Sequence, residues 1–248
     1  MQKFSNKITY TYWVWLHQIK AVLKGEFGTG LENAIGGNFD SLGQVMSDLL
    51  IHNGLQSDDY LIDVGCGAGR LTKFVDSYLN HGRYLGIDII PRLLKHASSQ
   101  TNNVNFEFKS VSRLTIPEQD ATADMVCFFS VFTHLLHEQS FLYLEEAKRV
   151  LKPGGKVVFS FLEFDVSSHW PVFENNIKNA GKHFEHLNMF INRDAITCWA
   201  DNLGFTIDGI WHGDKPHIPL SKSVVTDEGT EMENMGWLGQ SVCVLQKE

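Results

Sequence analysis

From residue 60 onward, short and almost unbroken apolar runs alternate with longer stretches whose apolar positions recur at helical spacing. The runs predict strands at residues 60–64, 84–88, 104–109, 124–129, 156–162, 205–211 and 241–246. The intervening stretches predict helices at 71–79, 91–100, 140–151 and 193–203. Pro91 stands at the start of its helix, where its fixed φ and missing N–H cost nothing. Strands that are apolar throughout are buried on both faces, and their alternation with helices implies a parallel sheet with right-handed crossovers. Residues before 55 lack strand patterning. They read as a helix over 9–24, a glycine-rich loop over 25–39, and a helix over 41–53 capped by Asp40 or Ser41. Residues 1–55 are therefore expected to form an N-terminal helical cap on a domain spanning 56–248. Residues 212–239, rich in Gly, Pro, Ser and acid, are too long for a simple turn and predict a functional lid or a disordered loop.

The chemistry concentrates where the first run ends. Leu61-Ile62-Asp63-Val64-Gly65-Cys66-Gly67-Ala68-Gly69-Arg70 is a strand ending in a tight turn, with a helix starting behind it. Glycine at alternate positions permits positive φ and lets a ligand lie against the main chain. The spacing is G-x-G-x-G. The third glycine of a dinucleotide-binding G-x-G-x-x-G would fall at Arg70, which argues against a nicotinamide-dependent oxidoreductase. Asp63, at the strand's carboxyl end, is placed to orient the turn and to meet a cationic group. A second run, Tyr84-Leu85-Gly86-Ile87-Asp88-Ile89, also ends in an acid. A carboxylate at that strand tip can accept two hydrogen bonds from a ribose diol.

Two further segments complete a pattern: Ala123-Asp124-Met125-Val126-Cys127-Phe128-Phe129-Ser130, and Leu151-Lys152-Pro153-Gly154-Gly155-Lys156-Val157-Val158-Phe159-Ser160. The four segments, in this order and spacing, resemble the class I S-adenosylmethionine-dependent methyltransferases over roughly residues 58–164. The resemblance implies a Rossmann-like α/β fold, a mostly parallel sheet with helices on both faces, whose last strand is antiparallel and inserted as a hairpin. It implies S-adenosyl-L-methionine as cofactor, held along Gly65, Cys66, Gly67 and Gly69, with Asp88 on the ribose diol and Ile89 on the adenine face. Asp63 is expected to help hold the ammonium of the methionine portion. Many relatives carry an acid after the third strand for the adenine amino group. Here Lys109-Ser110-Val111 stands in that place, so Ser110 or the Val111 backbone would substitute. Ser130 and the residues after it would border the methyl group. His134 is the candidate general base, with packing or cofactor-side hydrogen bonding as its alternative. Glu163, Asp165 and His169, after the next strand, are further candidates for that role, and Glu163 and His169 also for contact with the acceptor.

Composition narrows the acceptor. The formal net charge is −8, and no dense Lys/Arg cluster offers a surface for phosphates, so no nucleic-acid partner is expected. The fourth-strand motif also lacks the Asn/Asp-Pro-Pro-aromatic box of enzymes that methylate nucleic-acid or glutamine amide nitrogens. The apolar stretch at residues 8–19 is too short and too interrupted to span a bilayer, and no secretory signal is visible; a cytoplasmic protein without a membrane partner is expected. Cys66, Cys127, Cys198 and Cys243 are scattered without a C-x-x-C and read as reduced thiols. The pairs His134/His137 and His183/His186 have helical spacing but no further ligand in a recognised pattern, so no metal is assigned. Dense aromatics in the N-terminal segment make Trp13, Trp15 and Phe27 candidate acceptor contacts, with helix packing as the plainer reading. The expected function is transfer of a methyl group to a small molecule, hydroxyl first, with N- or C-methylation as alternatives and a non-catalytic cofactor-binding module more remote. The oligomeric state stays open, a homodimer included.

Overall fold

The computed structural model describes residues 37–180 and 187–248. Seven strands form one sheet: β1 (Tyr60–Val64), β2 (Arg83–Asp88), β3 (Phe106–Ser110), β4 (Ala123–Phe128), β5 (Leu151–Phe161), β6 (Phe205–Trp211) and β11 (Ser241–Lys247), in the order β3-β2-β1-β4-β5-β11-β6. β1 pairs in parallel with both β2 and β4, and β11 runs antiparallel between β5 and β6. This is the mostly parallel sheet with an antiparallel last strand that the resemblance implies.

Alternation along the strands divides the core into two layers. Ile62, Val64, Val126, Phe128 and Phe159 face one side, against Tyr143, Leu144 and Ala147 of α4 (His137–Val150) and Ile196 and Ala200 of α6 (Arg193–Leu203). Leu61, Tyr84, Met125, Cys127, Val158 and Val244 face the other side. They pack with Val45, Met46, Leu49 and Leu50 of α1 (Phe39–His52) and with Leu71, Val75 and Leu79 around α2 (Thr72–Val75). Helix α3 (Pro91–Ser98) packs beside β2 and β3, and α5 (Trp170–Asn179) follows β5.

Several expectations shift in detail. The predicted helix 71–79 shortens to the single turn of α2. The Lys-Pro-Gly-Gly segment lies within β5 as an irregularity: Leu151 pairs with Ala123, but the next partners are Lys156 and Met125, so residues 152–155 bulge out. Val104, expected in a strand, is almost fully exposed ahead of β3. The expected cap over residues 1–55 lies mostly outside the described residues, and its described part, α1, shares one core with the sheet. Residues 212–239 fold into two short ladders, β7 (Ile218–Pro219) with β10 (Met235–Gly236) and β8 (Val224–Val225) with β9 (Glu231–Met232). Ile218, Val224 and Met232 are buried in the layer that holds α1. Polar contacts finish the seam: Gln44 Nε2 donates to Ser221 Oγ (3.0 Å), Ser221 N–H to Asp48 (3.1 Å), and Asn38 Nδ2 to Glu228 (3.0 Å). Among the described residues no helix is long and apolar enough to cross a membrane.

Candidate active site

Strand order reverses between β1 and β4, because the chain builds β2 and β3 to one side of β1 and β4 and β5 to the other. Loops leaving the carboxyl ends of two such strands diverge and open a crevice. A cleft of about 240 Å³ lies there, walled by Gly65, Cys66 and Gly67 after β1, Asp88 and Ile89 after β2, residues 111–114 after β3, and Ser130, Val131 and His134 after β4.

The glycine turn requires its glycines. Gly65, Gly67 and Gly69 have φ of 77°, 55° and 88°, which disfavour any residue with a Cβ. A Cβ at Gly65 would lie 2.5 Å from Val131 Cγ2, and one at Gly69 would lie 2.7 Å from Ala97 Cα in α3. The turn is pinned to β2 by Gly65 N–H donating to the Ile87 carbonyl at 2.7 Å.

Asp88 locks the same corner. Its carboxylate accepts from Gly67 N–H at 3.0 Å and from Ile90 N–H at 2.8 Å. Burial holds its pKa up at about 6, against the downward pull of the Ile90 and Gly67 amides. Asp63 is also raised to about 6 by burial, while hydrogen bonds from Tyr84 and Cys127 oppose the rise. Its oxygens accept from the Tyr84 hydroxyl (2.7 Å) and the Cys127 thiol (3.6 Å), and the Tyr84 hydroxyl accepts from Thr72 (3.0 Å). Asp63 lines the cleft at the end of this buried chain, and among the described residues its hydrogen bonds come from side chains rather than from the turn's amides.

His134 closes a 3₁₀ turn, Phe132–His134, on the opposite wall. Its Nδ1 bonds the Leu187 carbonyl at 2.8 Å. A carbonyl only accepts, so Nδ1 carries the proton and the neutral ring's lone pair sits on Nε2. Burial lowers the pKa of this histidine below its ordinary value, so the neutral ring dominates near neutral pH.

Comparison with known proteins bears on the same residues. Residues 62–159, which carry the glycine turn, Asp88, Ser130 and His134, match the family described as a methyltransferase domain. The chain is 32% identical over 194 residues to an uncharacterized methyltransferase of Schizosaccharomyces pombe, covering 71% of this chain and 65% of that one. It is 26% identical over 148 residues to the malonyl-[acyl-carrier protein] O-methyltransferase of Hahella chejuensis, covering 58% and 50%. It thus spans less than two thirds of the length of either relative. Its fold is similar to that of an S-adenosylmethionine-dependent methyltransferase from Methanosarcina mazei, at TM-score 0.58, 19% identity and coverage of 80% and 96%. It is also similar to magnesium protoporphyrin IX methyltransferase from Synechocystis, a structure with bound S-adenosylhomocysteine, at TM-score 0.59, 13% identity and coverage of 84% and 82%. Residues 62–159 thus match a methyltransferase domain, and the fold is the one found in S-adenosylmethionine-dependent methyltransferases.

Not every residue singled out in the sequence reaches the cleft. Val111 lines it, but its N–H is spent on the Asp88 carbonyl at 3.1 Å. Ser110 is exposed at the end of β3 and outside the lining, so the loop wall consists of Val111, Ser112, Arg113 and Leu114. Glu163 and His169 are also outside it. Glu163 is buried in a two-pronged pair with Arg193, Nε at 2.7 Å and Nη2 at 2.8 Å, and it accepts from Ser241. Burial alone would raise its carboxyl, but the Arg193 and Ser241 bonds outweigh it and hold the pKa below the usual value. His169 accepts the Glu163 N–H on Nδ1 and donates from Nε2 to the Gly239 carbonyl. Both are internal braces rather than acceptor contacts. Asp165 is exposed. Trp13, Trp15, Phe27, His183 and His186 lie outside the described residues. His137 bonds the Phe190 carbonyl.

Sequence reasoning missed several wall residues: Met46 of α1, Arg70, Leu71, Phe129, Gln139 and Tyr143. Arg70, which fills the position of a third dehydrogenase glycine, donates Nη2 to the Gly37 carbonyl at 2.7 Å and ties the entry of α1 to the turn. Arg70's own sequence position was the only available signal for it. Met46 and Tyr143 read simply as helical core residues.

Proposed function

We propose that this protein transfers the methyl group of S-adenosylmethionine to a hydroxyl of a small-molecule acceptor, with His134 as general base. The observation that carries the reading is the neutral, Nδ1-tethered His134 on a cleft wall opposite the glycine turn and Asp88.

The residues present fit the cofactor. The turn at Gly65 and Gly67 offers bare main chain on the cleft wall, where a Cβ at Gly65 would clash with Val131, and Asp88 brings a buried carboxylate to the same cleft. In this reading Asp88 holds the ribose diol with the lone pairs left over from Gly67 and Ile90. Ile89, Val111 and Leu114 give the adenine an apolar slot, and Asp63 faces the ammonium end. The bound cofactor supplies an electrophilic methyl carbon on a sulfonium, and displacement needs the nucleophile in line behind it. The protein's part is then to orient, to exclude water and to take one proton. His134 Nε2 takes the hydroxyl proton as the oxygen attacks, while the Leu187 carbonyl steadies the resulting imidazolium through Nδ1–H.

Oxygen is favoured because a proton acceptor on the acceptor side serves a hydroxyl, and because similar chains include O-methyltransferases. Besides the Hahella protein, the chain is 34% identical over 112 residues to a ubiquinone biosynthesis O-methyltransferase of Dictyostelium discoideum, 40% of this chain and 34% of that one. A small acceptor in the cytoplasm, and no nucleic-acid or membrane partner, agrees with the acidic charge and with four free cysteines. Incubation with methyl-labelled cofactor and a panel of phenols, hydroxy acids and amines tests the assignment. Label in a hydroxyl supports it, and label only in amines or carbon acids overturns the O-methyl part.

Asp88 gives a graded test of the cofactor geometry. Asp88→Ala is expected to weaken S-adenosylhomocysteine binding by roughly 1.5–3 kcal/mol, the scale of hydrogen bonds to a charged group. Because the folded pKa of Asp88 is raised to about 6, the carboxylate that accepts from the diol is lost as pH falls through 6. Affinity should therefore be level above about pH 7 and decline below 6 by up to about tenfold per pH unit. Asp88→Asn should flatten part of that decline, leaving the share due to Asp63. Calorimetry from pH 8 to pH 5 reads both, and a wild-type affinity unchanged across the range would rule out Asp88 as the diol ligand.

A further inference from the structure

Ser130, two residues beyond β4, has φ of 57°, a left-handed conformation that a serine keeps only where its surroundings over-determine it. Three hydrogen bonds do so. Ser130 N–H donates to Ser160 Oγ at 2.8 Å, the Ser160 hydroxyl donates to Gln240 Oε1 at 2.8 Å, and Gln240 Nε2 donates to Ser130 Oγ at 3.1 Å. The ring joins β4, β5 and the residue just before β11. Its sense matters: Ser130 Oγ accepts from Gln240, so its own proton is left over, and among the described residues nothing accepts it. Ser130 lines the cleft.

Gln240 is itself gripped from both sides. The carbonyl of Gly239 accepts from His169 Nε2 at 3.0 Å, and the Gly239 N–H donates to the Gly213 carbonyl at 2.9 Å. On the other side, Ser241 Oγ accepts the Gly213 N–H at 3.1 Å and donates to Glu163, which Arg193 clasps. The buried Glu163 and His169, which touch no part of the cleft, thus fix the two neighbours of a residue that does the orienting.

We propose that Gln240 is a positioning residue: it locks Ser130 so that the hydroxyl donates its proton into the cleft, to an oxygen of the bound cofactor. The inference rests on the cofactor reading above. The geometry makes Gln240→Glu the informative variant. A glutamate carboxylate cannot donate to Ser130 Oγ and instead captures its proton, so the hydroxyl turns away from the cleft. A protonated glutamic acid carries one O–H donor and one carbonyl acceptor, as the amide does.

At pH 8, Gln240→Glu is expected to weaken S-adenosylhomocysteine binding roughly tenfold, the scale of one hydrogen bond. Ser130→Ala should match it, and the double variant should be no weaker, because both remove one contact. The deficit of Gln240→Glu relative to wild type should shrink as pH is lowered toward 5 and the new side chain protonates. A purely structural role would give no such rescue. Wild-type affinity in Gln240→Glu at pH 8, a deficit constant across pH, or additive losses in the double variant would each overturn the proposal. If Gln240→Glu fails to fold, Ser160→Ala removes the other arm of the ring: a roughly tenfold loss at pH 8 sustains the proposal, and wild-type affinity overturns it. A wild-type protein that binds no S-adenosylhomocysteine would instead overturn the cofactor reading.

Discussion

Gly67→Val is expected to abolish S-adenosylhomocysteine binding while leaving a folded protein. Gly67 has φ of 55°, lies on the floor of the cleft and donates its N–H to Asp88. A β-branched residue in that conformation costs on the order of 1–3 kcal/mol, less than the 5–15 kcal/mol that stabilises a typical domain. The fold should therefore survive, with a lowered melting temperature. The cofactor site should not, because two methyl groups would occupy space over which a ligand lies on bare main chain. Circular dichroism with calorimetry separates these effects. Binding within a few-fold of wild type would place the ligand elsewhere.

His134→Ala carries the other large effect. If His134 takes the hydroxyl proton, its loss should slow the chemical step by roughly 10²–10⁴-fold, with cofactor affinity nearly unchanged. Single-turnover rates with the acceptor identified by the labelling screen are the measure. Because burial holds the imidazole's pKa below its ordinary value, the wild-type rate should stay level through neutral pH and fall only in acid, as Nε2 becomes protonated. The alanine variant should lose that acid limb. A variant that keeps most of its turnover would make His134 a packing residue and favour an acceptor that arrives already nucleophilic.

What the sequence made legible was local. The glycines at 65 and 67, and the acids near the ends of β1 and β2, sit within one strand-turn unit each, so residue type and spacing place them on the cleft, while Gly69 packs against Ala97 of α3 instead. The same holds for the parallel sheet, because an apolar run reports burial on both faces. What stayed illegible was long-range. Ser130 meets Gln240 across 110 positions, and Asp63 meets Cys127 across 64. Glu163 and His169 looked like acceptor contacts because ionisable side chains beyond a strand end usually face the cleft, and only their partners Arg193, Ser241 and Gly239 show that they face inward. Residues 212–239 read as a lid or a disordered loop for a similar reason. Their ladders are two residues long, too short to register as strands, and Ile218, Val224 and Met232 find their apolar partners on α1, far back in the chain.

The most direct test of the central claim, that the cleft between β1 and β4 is an S-adenosylmethionine site, is a calorimetric titration of the full chain with S-adenosylhomocysteine, beside a matched titration with NADH. Saturable one-to-one binding of S-adenosylhomocysteine, weakened in Asp88→Ala, with no saturable binding of NADH, is the expected result. Saturable binding of NADH, or no binding of S-adenosylhomocysteine at millimolar concentration, would contradict it.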